Sequence, residues 1–209
     1  VPPCPPILMV DNICSTNTGC EDPSTLFNTL DWTNPNEVCE DTDDAVAYRI
    51  YFAPQEGGNL ELIATVEGAT NITFDHQPPT GLAVCYAVTA LDRNGNESAL
   101  SNIFCVDNCP TYNLPNAFTP NNDGQNDLFV PYPFCFIEEV EFQVFNRWGQ
   151  LVFETSDPNL NWDGTNLNGQ ILNDGVYYYV CRVFEQRVNG IIEQEELLKG
   201  YIQLIRGNQ

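Results

Sequence analysis

Apolar and polar residues alternate along the whole chain in short stretches separated by turn residues. The first half holds seven such runs: ILMV (7–10), LFNTLDW (26–32), AVAYRIYF (45–52), LELIATV (60–66), NITF (71–74), LAVCYAVTALD (82–92) and SNIFCV (101–106). Leu30 and Trp32 fall on one face, as do Val46, Tyr48 and Ile50, and as do Tyr86, Val88 and Ala90. A period of two is that of a β-strand with one buried face, and short strands at this spacing predict a two-sheet sandwich. Cys85 is out of phase with Tyr86, so it is expected to face outward, with Cys105 on the neighbouring strand as its candidate disulfide partner.

The same pattern continues after CPTYNLP (109–115), where Pro and Asn interrupt the alternation and mark a boundary between domains at 1–108 and 109–209. In VEFQVFNRWGQLVFET (140–155), Val140, Phe142 and Val144 alternate with polar neighbours, and NRWG connects to a returning strand, LVF. This is the pattern of a β-hairpin, with Asn146 opening the turn, Gly149 left-handed and Trp148 folded back onto the sheet. In VYYYVCRVF (176–184) both faces are apolar, so one face is expected to meet the core and the other a partner. ELLKGYIQLI (196–205) closes the sheet, and its internal Gly200 predicts a bulge or the close approach of another backbone. No run has period 3.6, and the fold class is all-β, two consecutive immunoglobulin-like sandwiches.

Composition narrows the functional classes. The chain has 29 acidic and 7 basic residues, a formal charge of −22. That balance repels phosphate backbones and anionic lipid surfaces, so nucleic-acid binding is excluded. No stretch approaches the roughly 18 apolar residues of a spanning helix, so direct membrane insertion is not expected. Nine cysteines point to an oxidising compartment and structural disulfides rather than zinc, since CxxC pairs are missing and His76 is the only histidine. A lone histidine also excludes most catalytic triads, and no GxSxG, HExxH or phosphate-loop motif occurs. No catalytic residues are assigned.

Five blocks in the last hundred residues carry a more specific signal: LPNAFTPNNDGQNDLF (114–129), FQVFNRWGQLVFET (142–155), NWDG (161–164), NDGVYYYV (173–180) and KGYIQLIR (199–206). In this order they resemble the gliding-motility-associated C-terminal domain, the type B sorting domain of the type IX secretion system of Bacteroidetes. The resemblance implies a non-catalytic address label that directs a large upstream passenger, an adhesin or motility protein, through the outer-membrane translocon to the cell surface. It also implies a PorP/SprF-like outer-membrane barrel protein as the partner that holds it there. The chain opens VPPCPP without initiator Met or apolar leader, so an export signal is expected upstream in a longer parent. The segments LDWTNP, AYRIYF and PPTGLAVCYAVTALD resemble strands B, C and F of a fibronectin type III domain. The resemblance implies that Trp32 is the core tryptophan and Tyr86 the tyrosine that ties off the corner before strand F.

Candidate contact residues in the second domain are Arg147, Trp148, Tyr178, Lys199, Gly200 and Tyr201, which combine scarce cations with outward aromatics. Arg147 has a second reading, an ion pair with Glu141 or Glu154. The oxygen-rich turn at 121–127 also has two readings: a turn stabilised by Asx side chains, or a Ca²⁺ site using Asn121, Asp123 and Asp127. The acidic run CEDTDD (39–44) is a further, weaker cation candidate. The rival function is a calcium-dependent extracellular adhesion or carbohydrate-binding module.

Overall fold

Each alternating run of the first half forms a strand in the computed structural model: β1 (Leu8–Asn12), β2 (Asn28–Trp32), β3 (Ala45–Ala53), β4 (Glu61–Glu67), β5 (Thr73–His76), β6 (Val84–Asp92) and β7 (Phe104–Val106). The structure describes residues 1–12, 14, 26–39, 44–79 and 81–207. The acidic positions 40–43 lie outside the described residues, and with them most of the CEDTDD candidate. One helical turn, α1 (Pro35–Val38), is capped by the Asn34 side chain, which accepts from the Asn36 amide. No helix among the described residues is long and apolar enough to cross a membrane. The chain divides into two compact units, Val1–Cys109 with Arg187–Gly190, and Pro110–Gln186 with Ile191–Gln209.

In the first unit a three-stranded sheet, β1-β2-β5, packs with a four-stranded one, β4-β3-β6-β7, the arrangement of a fibronectin type III-like sandwich. Leu8, Leu30, Trp32, Tyr48, Ile50, Tyr86 and Val88 fill the core, and the rings of Trp32 and Tyr48 meet edge to face at 5.3 Å. Three details depart from the sequence reading. The register of β3 against β6 shifts between Ala45 and Ala47, so Ala45 rather than Val46 joins Tyr48 and Ile50 in the core. A one-residue bulge reverses the phase of everything on one side of it. The Tyr86 hydroxyl accepts a bond from Asn28 Nδ2 (3.0 Å) and lies 2.8 Å from His76 Nδ1, so it is tied to side chains of the opposite sheet rather than to a corner.

The third departure concerns Cys85, which stays out of the core cluster that holds Val84 and Tyr86, as its phase predicts, yet is only 2% exposed. Its strand is interior, and its register partners Ala53 and Cys105 close over it from either side. Cys85 and Cys105 are joined by a disulfide, as are Cys4 with Cys39 and Cys14 with Cys109. Cys135 is disulfide-bonded as well, whereas Cys181 is buried and free, and its burial pushes the thiol pKa up to about 12.

The second unit contains β8 (Thr111–Tyr112), β9 (Ala117–Phe118), β10 (Phe134–Cys135), β11 (Ile137–Phe145), β12 (Leu151–Thr155), β13 (Gly175–Arg187), β14 (Gly190–Glu193) and β15 (Leu198–Leu204). Its main sheet runs β12-β11-β13-β15-β9, with β14 also paired to β13. The facing layer is fragmentary, made of the β8–β10 pair and a bridge between Phe129 and Trp162. Val140, Phe142 and Val144 are wholly buried, as the alternation predicts.

Trp162 occupies the centre of this core, with ring centroids of Phe118, Phe153, Tyr177 and Phe129 at 5.1, 5.6, 5.8 and 6.4 Å. Its indole N–H donates to the Thr165 carbonyl at 2.8 Å. The sequence marks NWDG only as a turn, yet that turn also delivers the largest buried side chain of the unit. Arg206 fastens the loops around it, donating to the carbonyls of Pro120 (2.8 Å) and Gly164 (2.9 Å). Gly164 has φ +78°, and a Cβ there would stand 2.7 Å from the Arg206 guanidinium, so this turn requires glycine.

Candidate functional site

The outward face of the β12-β11-β13-β15 sheet carries three of the six candidate contact residues, Tyr178, Lys199 and Tyr201. Strand register places Leu151, Phe145, Tyr178 and Tyr201 in one row across four strands, because Phe145 pairs with Leu151 and Tyr178, and Tyr178 with Tyr201. On one side of this row lie Gln143, Val180 and Lys199, and on the other Val176 and Gln203. Tyr178 and Tyr201 are each 51% exposed, and Val176 is exposed beside them. Neighbouring strands are about 4.8 Å apart, so these side chains form an unbroken apolar band. Leu151, Phe145 and Val176 complete it; sequence reasoning missed them because membership of a row depends on register.

Gly200 has a different role from the one expected. The β13–β15 register runs without a shift from Gly175–Leu204 to Cys181–Leu198, so there is no bulge. Gly200 is paired with Tyr179, and a Cβ on it would come within 2.8–2.9 Å of the Tyr179 ring. The close approach is that of an intramolecular aromatic ring, which the missing side chain admits to its position beside the core. The backbone of β15 is also less open than a final strand suggests. Gln203 donates to Asn116 O (2.8 Å) and Ile205 to Phe118 O (3.2 Å), so β9 covers one end. By alternation the amides of Lys199 and Tyr201 point the same way, and no strand is paired there among the described residues.

Arg147 and Trp148 occupy the turn between β11 and β12. Asn146 builds that turn: its Oδ1 accepts from the amides of Trp148 (2.9 Å) and Gln150 (3.0 Å), while its carbonyl accepts from Gly149 (2.9 Å). Gly149 has φ +76°. The turn directs Trp148 away from the sheet, leaving it 80% exposed instead of folded back. The Arg147 guanidinium carbon lies 5.3 Å from the Trp148 ring centroid, a cation–π contact. Arg147 forms an ion pair with neither Glu141 nor Glu154 among the described residues, and Glu141 instead faces Arg182 (3.5 Å), which also reaches Glu193 (3.7 Å). These pairs are exposed and contribute little to stability.

At 121–127 the carboxylate of Asp127 accepts three backbone amides: Asn121 (3.0 Å) and Asn122 (2.6 Å) on Oδ1, and Gly124 (2.8 Å) on Oδ2. Asp123 accepts from Asn121 Nδ2 (2.9 Å) and the Gln125 amide (2.8 Å), and these bonds hold its pKa below the usual carboxylate range. The carboxylates thus face N–H donors of their own loop, with which any bound cation would compete. Among the described residues no group of three or more His, Cys, Asp or Glu side chains is placed to hold a metal ion.

A 61-residue segment is 51% identical to an amylopullulanase of Thermoanaerobacter thermohydrosulfuricus; it covers 29% of this chain and 4% of that protein. Among solved structures, pectate lyase PelI of Erwinia chrysanthemi with tetragalacturonic acid aligns at 19% identity over 49% of this chain and 28% of its own, with TM-score 0.36. The FN1–FN3 domains of chicken CNTN1 align at 12% identity over 99% of this chain and 68% of theirs, with TM-score 0.38. At these scores neither structural likeness carries an argument. The five sequence blocks and the sheet they build coincide with a family match: residues 112–204 match the CHU_C Type IX secretion signal domain.

Proposed function

We propose that this chain is a non-catalytic export and attachment module, in which the second unit is a folded address read by the type IX apparatus and the first is a spacer between it and an upstream passenger. The family match over 112–204 carries this reading. The apolar outward face of the second unit supports a protein partner, and a PorP/SprF-like outer-membrane barrel is the partner the reading assigns. The passenger, an adhesin or motility protein, reaches the cell surface of a Bacteroidetes-type bacterium by this route. The test is a reporter carrying an export signal, fused ahead of the 209-residue chain in a bacterium with the type IX apparatus. Surface display is expected only with both translocon and barrel partner present, and display that survives deletion of the translocon would overturn the reading.

The amylopullulanase similarity favours one further reading, a calcium-dependent extracellular adhesion or carbohydrate-binding module, with Ca²⁺ at Asn121, Asp123 and Asp127. The matched segment is a small part of that relative, so the reading is confined to the module. Retention of the chain on starch or pullulan, with and without EDTA, separates it from a pure address label. Retention that EDTA abolishes favours this reading, and a blank result removes it.

A further inference from the structure

The turn that carries Arg147 and Trp148 has a twin within the same unit. Residues 146–150 read NRWGQ and residues 166–170 read NLNGQ. In the second turn Asn166 Oδ1 accepts from the amides of Asn168 (2.9 Å) and Gln170 (3.0 Å), and its carbonyl accepts from Gly169 (2.8 Å). Both turns also bond the asparagine Nδ2 to the glutamine side chain, at 3.2 Å and 3.1 Å. Asparagine, glycine and glutamine are what the turn requires, while its second and third positions accept Leu167 and Asn168 equally well. Nothing in turn geometry therefore accounts for a tryptophan 80% exposed with an arginine stacked on it.

A groove of about 280 Å³ runs beside this turn, lined by Arg147, Trp148, Ile171, Asp174 and Val176 among others. Ile171 and Val176 are both exposed, as Trp148 is. Much of the groove's polar chemistry is committed elsewhere: Asn146 to its turn, the Asn173 carbonyl to the Tyr177 hydroxyl (2.8 Å), and Asp174 to the Arg206 amide (3.1 Å). Arg147 makes no ion pair among the described residues, and although the groove's surface is more polar than apolar, Trp148, Ile171 and Val176 place exposed apolar side chains beside it. A sugar ring requires several free donors and acceptors, and here the bonds just named engage Asn146, the Asn173 carbonyl and Asp174, while the Arg147 guanidinium stands beside the exposed side chains of Trp148, Ile171 and Val176.

We infer that Arg147 and Trp148 are the contact through which the second unit grips a polypeptide, one that lays an apolar side chain against Trp148, Ile171 and Val176 and a carboxylate on Arg147. The inference rests on the address-label reading and deepens it by naming the partner's chemistry. Charge complementarity selects that occupant: Arg147 is an unpaired cation in a chain of charge −22, so an acidic ligand finds attraction only at such points.

The test converts one twin into the other, within the full chain fused to the exported reporter. Arg147→Leu with Trp148→Asn rebuilds the 166–170 turn sequence and is expected to keep Tm within about 2 °C while lowering surface display at least about tenfold. The reciprocal Leu167→Arg with Asn168→Trp should leave display unchanged. Should the double variant lose stability, Arg147→Glu decides alone, because its side chain holds nothing but the exposed indole; it should lower display while Arg147→Lys retains it. Display within about twofold of wild type for either Arg147→Leu/Trp148→Asn or Arg147→Glu overturns the inference and leaves the sorting role standing, whereas no display by the wild-type fusion sinks the sorting role itself. A second measurement reads the ligand class. The Trp148 indole N–H resonance should shift with acetyl-Phe-Glu-Phe-amide more than with its Gln or Lys counterparts, and a larger shift with trigalacturonate would replace the polypeptide by an anionic glycan.

Discussion

The paired central strands of the two units, β3 with β6 and β11 with β13, hold corresponding places but finish their outer faces differently. In the first unit Glu97 covers that face, accepting from Tyr51 (2.5 Å) and Thr89 (2.6 Å) and pairing with Arg49. Ser98 and Ser101 donate to the carbonyls of Ala90 and Val88 (both 2.9 Å), holding the Glu97 segment alongside β6. The polar groups satisfy one another, and Thr89 is buried beneath them. In the second unit the corresponding surface carries the exposed Glu141–Arg182 pair and, farther along the strands, the row of Leu151, Phe145, Tyr178 and Tyr201, with both tyrosines half exposed. A face closed by its own hydrogen bonds has little to offer a partner, while an apolar face left open is held ready for one.

The comparison assumes that both faces lie on equally well-packed cores, and Trp162→Ala attacks that assumption with the largest expected effect. Removing the ring at the centre of the second core should cost about 3–5 kcal/mol. In denaturant titration the second unit's transition should move while the first unit's stays in place. Equal movement of both would mean that the units do not unfold separately.

Glu97→Ala tests the closed face. It leaves Tyr51, Thr89 and Arg49 without their shared acceptor, and a loss of about 1–3 kcal/mol is expected in the first unit. Burial raises the Glu97 pKa, but hydrogen bonds from Thr89 and Tyr51 with the charge of Arg49 outweigh it, so the net shift is downward. A depressed carboxylate pKa contributes stability above the ordinary value of 4.5 that is lost as pH falls through the folded pKa. That acid-sensitive component should vanish in the variant. A change below about 0.5 kcal/mol would show that the network only decorates the surface.

Asp127→Ala probes the 121–127 loop of the second unit. Loss of three amide bonds to one carboxylate should lower stability by about 1–2 kcal/mol. If the bonds are the whole account, excess EDTA leaves the wild-type Tm unchanged. A chelator-dependent fall that the variant lacks would assign Ca²⁺ to the loop instead.

A smaller effect concerns His76, which links the two sheets of the first unit through Tyr86. Burial lowers its pKa from 6.5, so the folded state favours neutral imidazole. The sign is that of a depressed base: stability is full above about pH 6.5 and declines as pH falls toward the folded pKa. His76→Gln should remove this step from the pH dependence of Tm, without touching the second unit.

The smallest effect on stability is expected on the open face itself. Tyr178→Ser with Tyr201→Ser should change stability by no more than about 1 kcal/mol, since both rings are half exposed, while surface display falls. A large loss of stability would mean that the face is structural, and the contrast with the first unit would collapse.

Much of this architecture is legible in one dimension because strand periodicity is local. Tyr86 and Val88, or Val140, Phe142 and Val144, need only their own alternation to be placed inward, and the NRWG and NWDG turns need only their own Asn, Asp and Gly. The five blocks at 114–206 identify the sorting domain for a similar reason, since their turn residues and apolar positions lie at set intervals. What the sequence could not decide depends on which strands become neighbours. Val46 left the core because of a bulge against β6, Cys85 was buried because its strand lies between two others, and Gly200 was required by the Tyr179 ring across the ladder. The row joining Leu151, Phe145, Tyr178 and Tyr201 exists only once four strands are in register, as does the groove beside Trp148. Side-chain direction follows from local backbone geometry, whereas adjacency follows from pairing between distant segments, and only the tertiary structure supplies that.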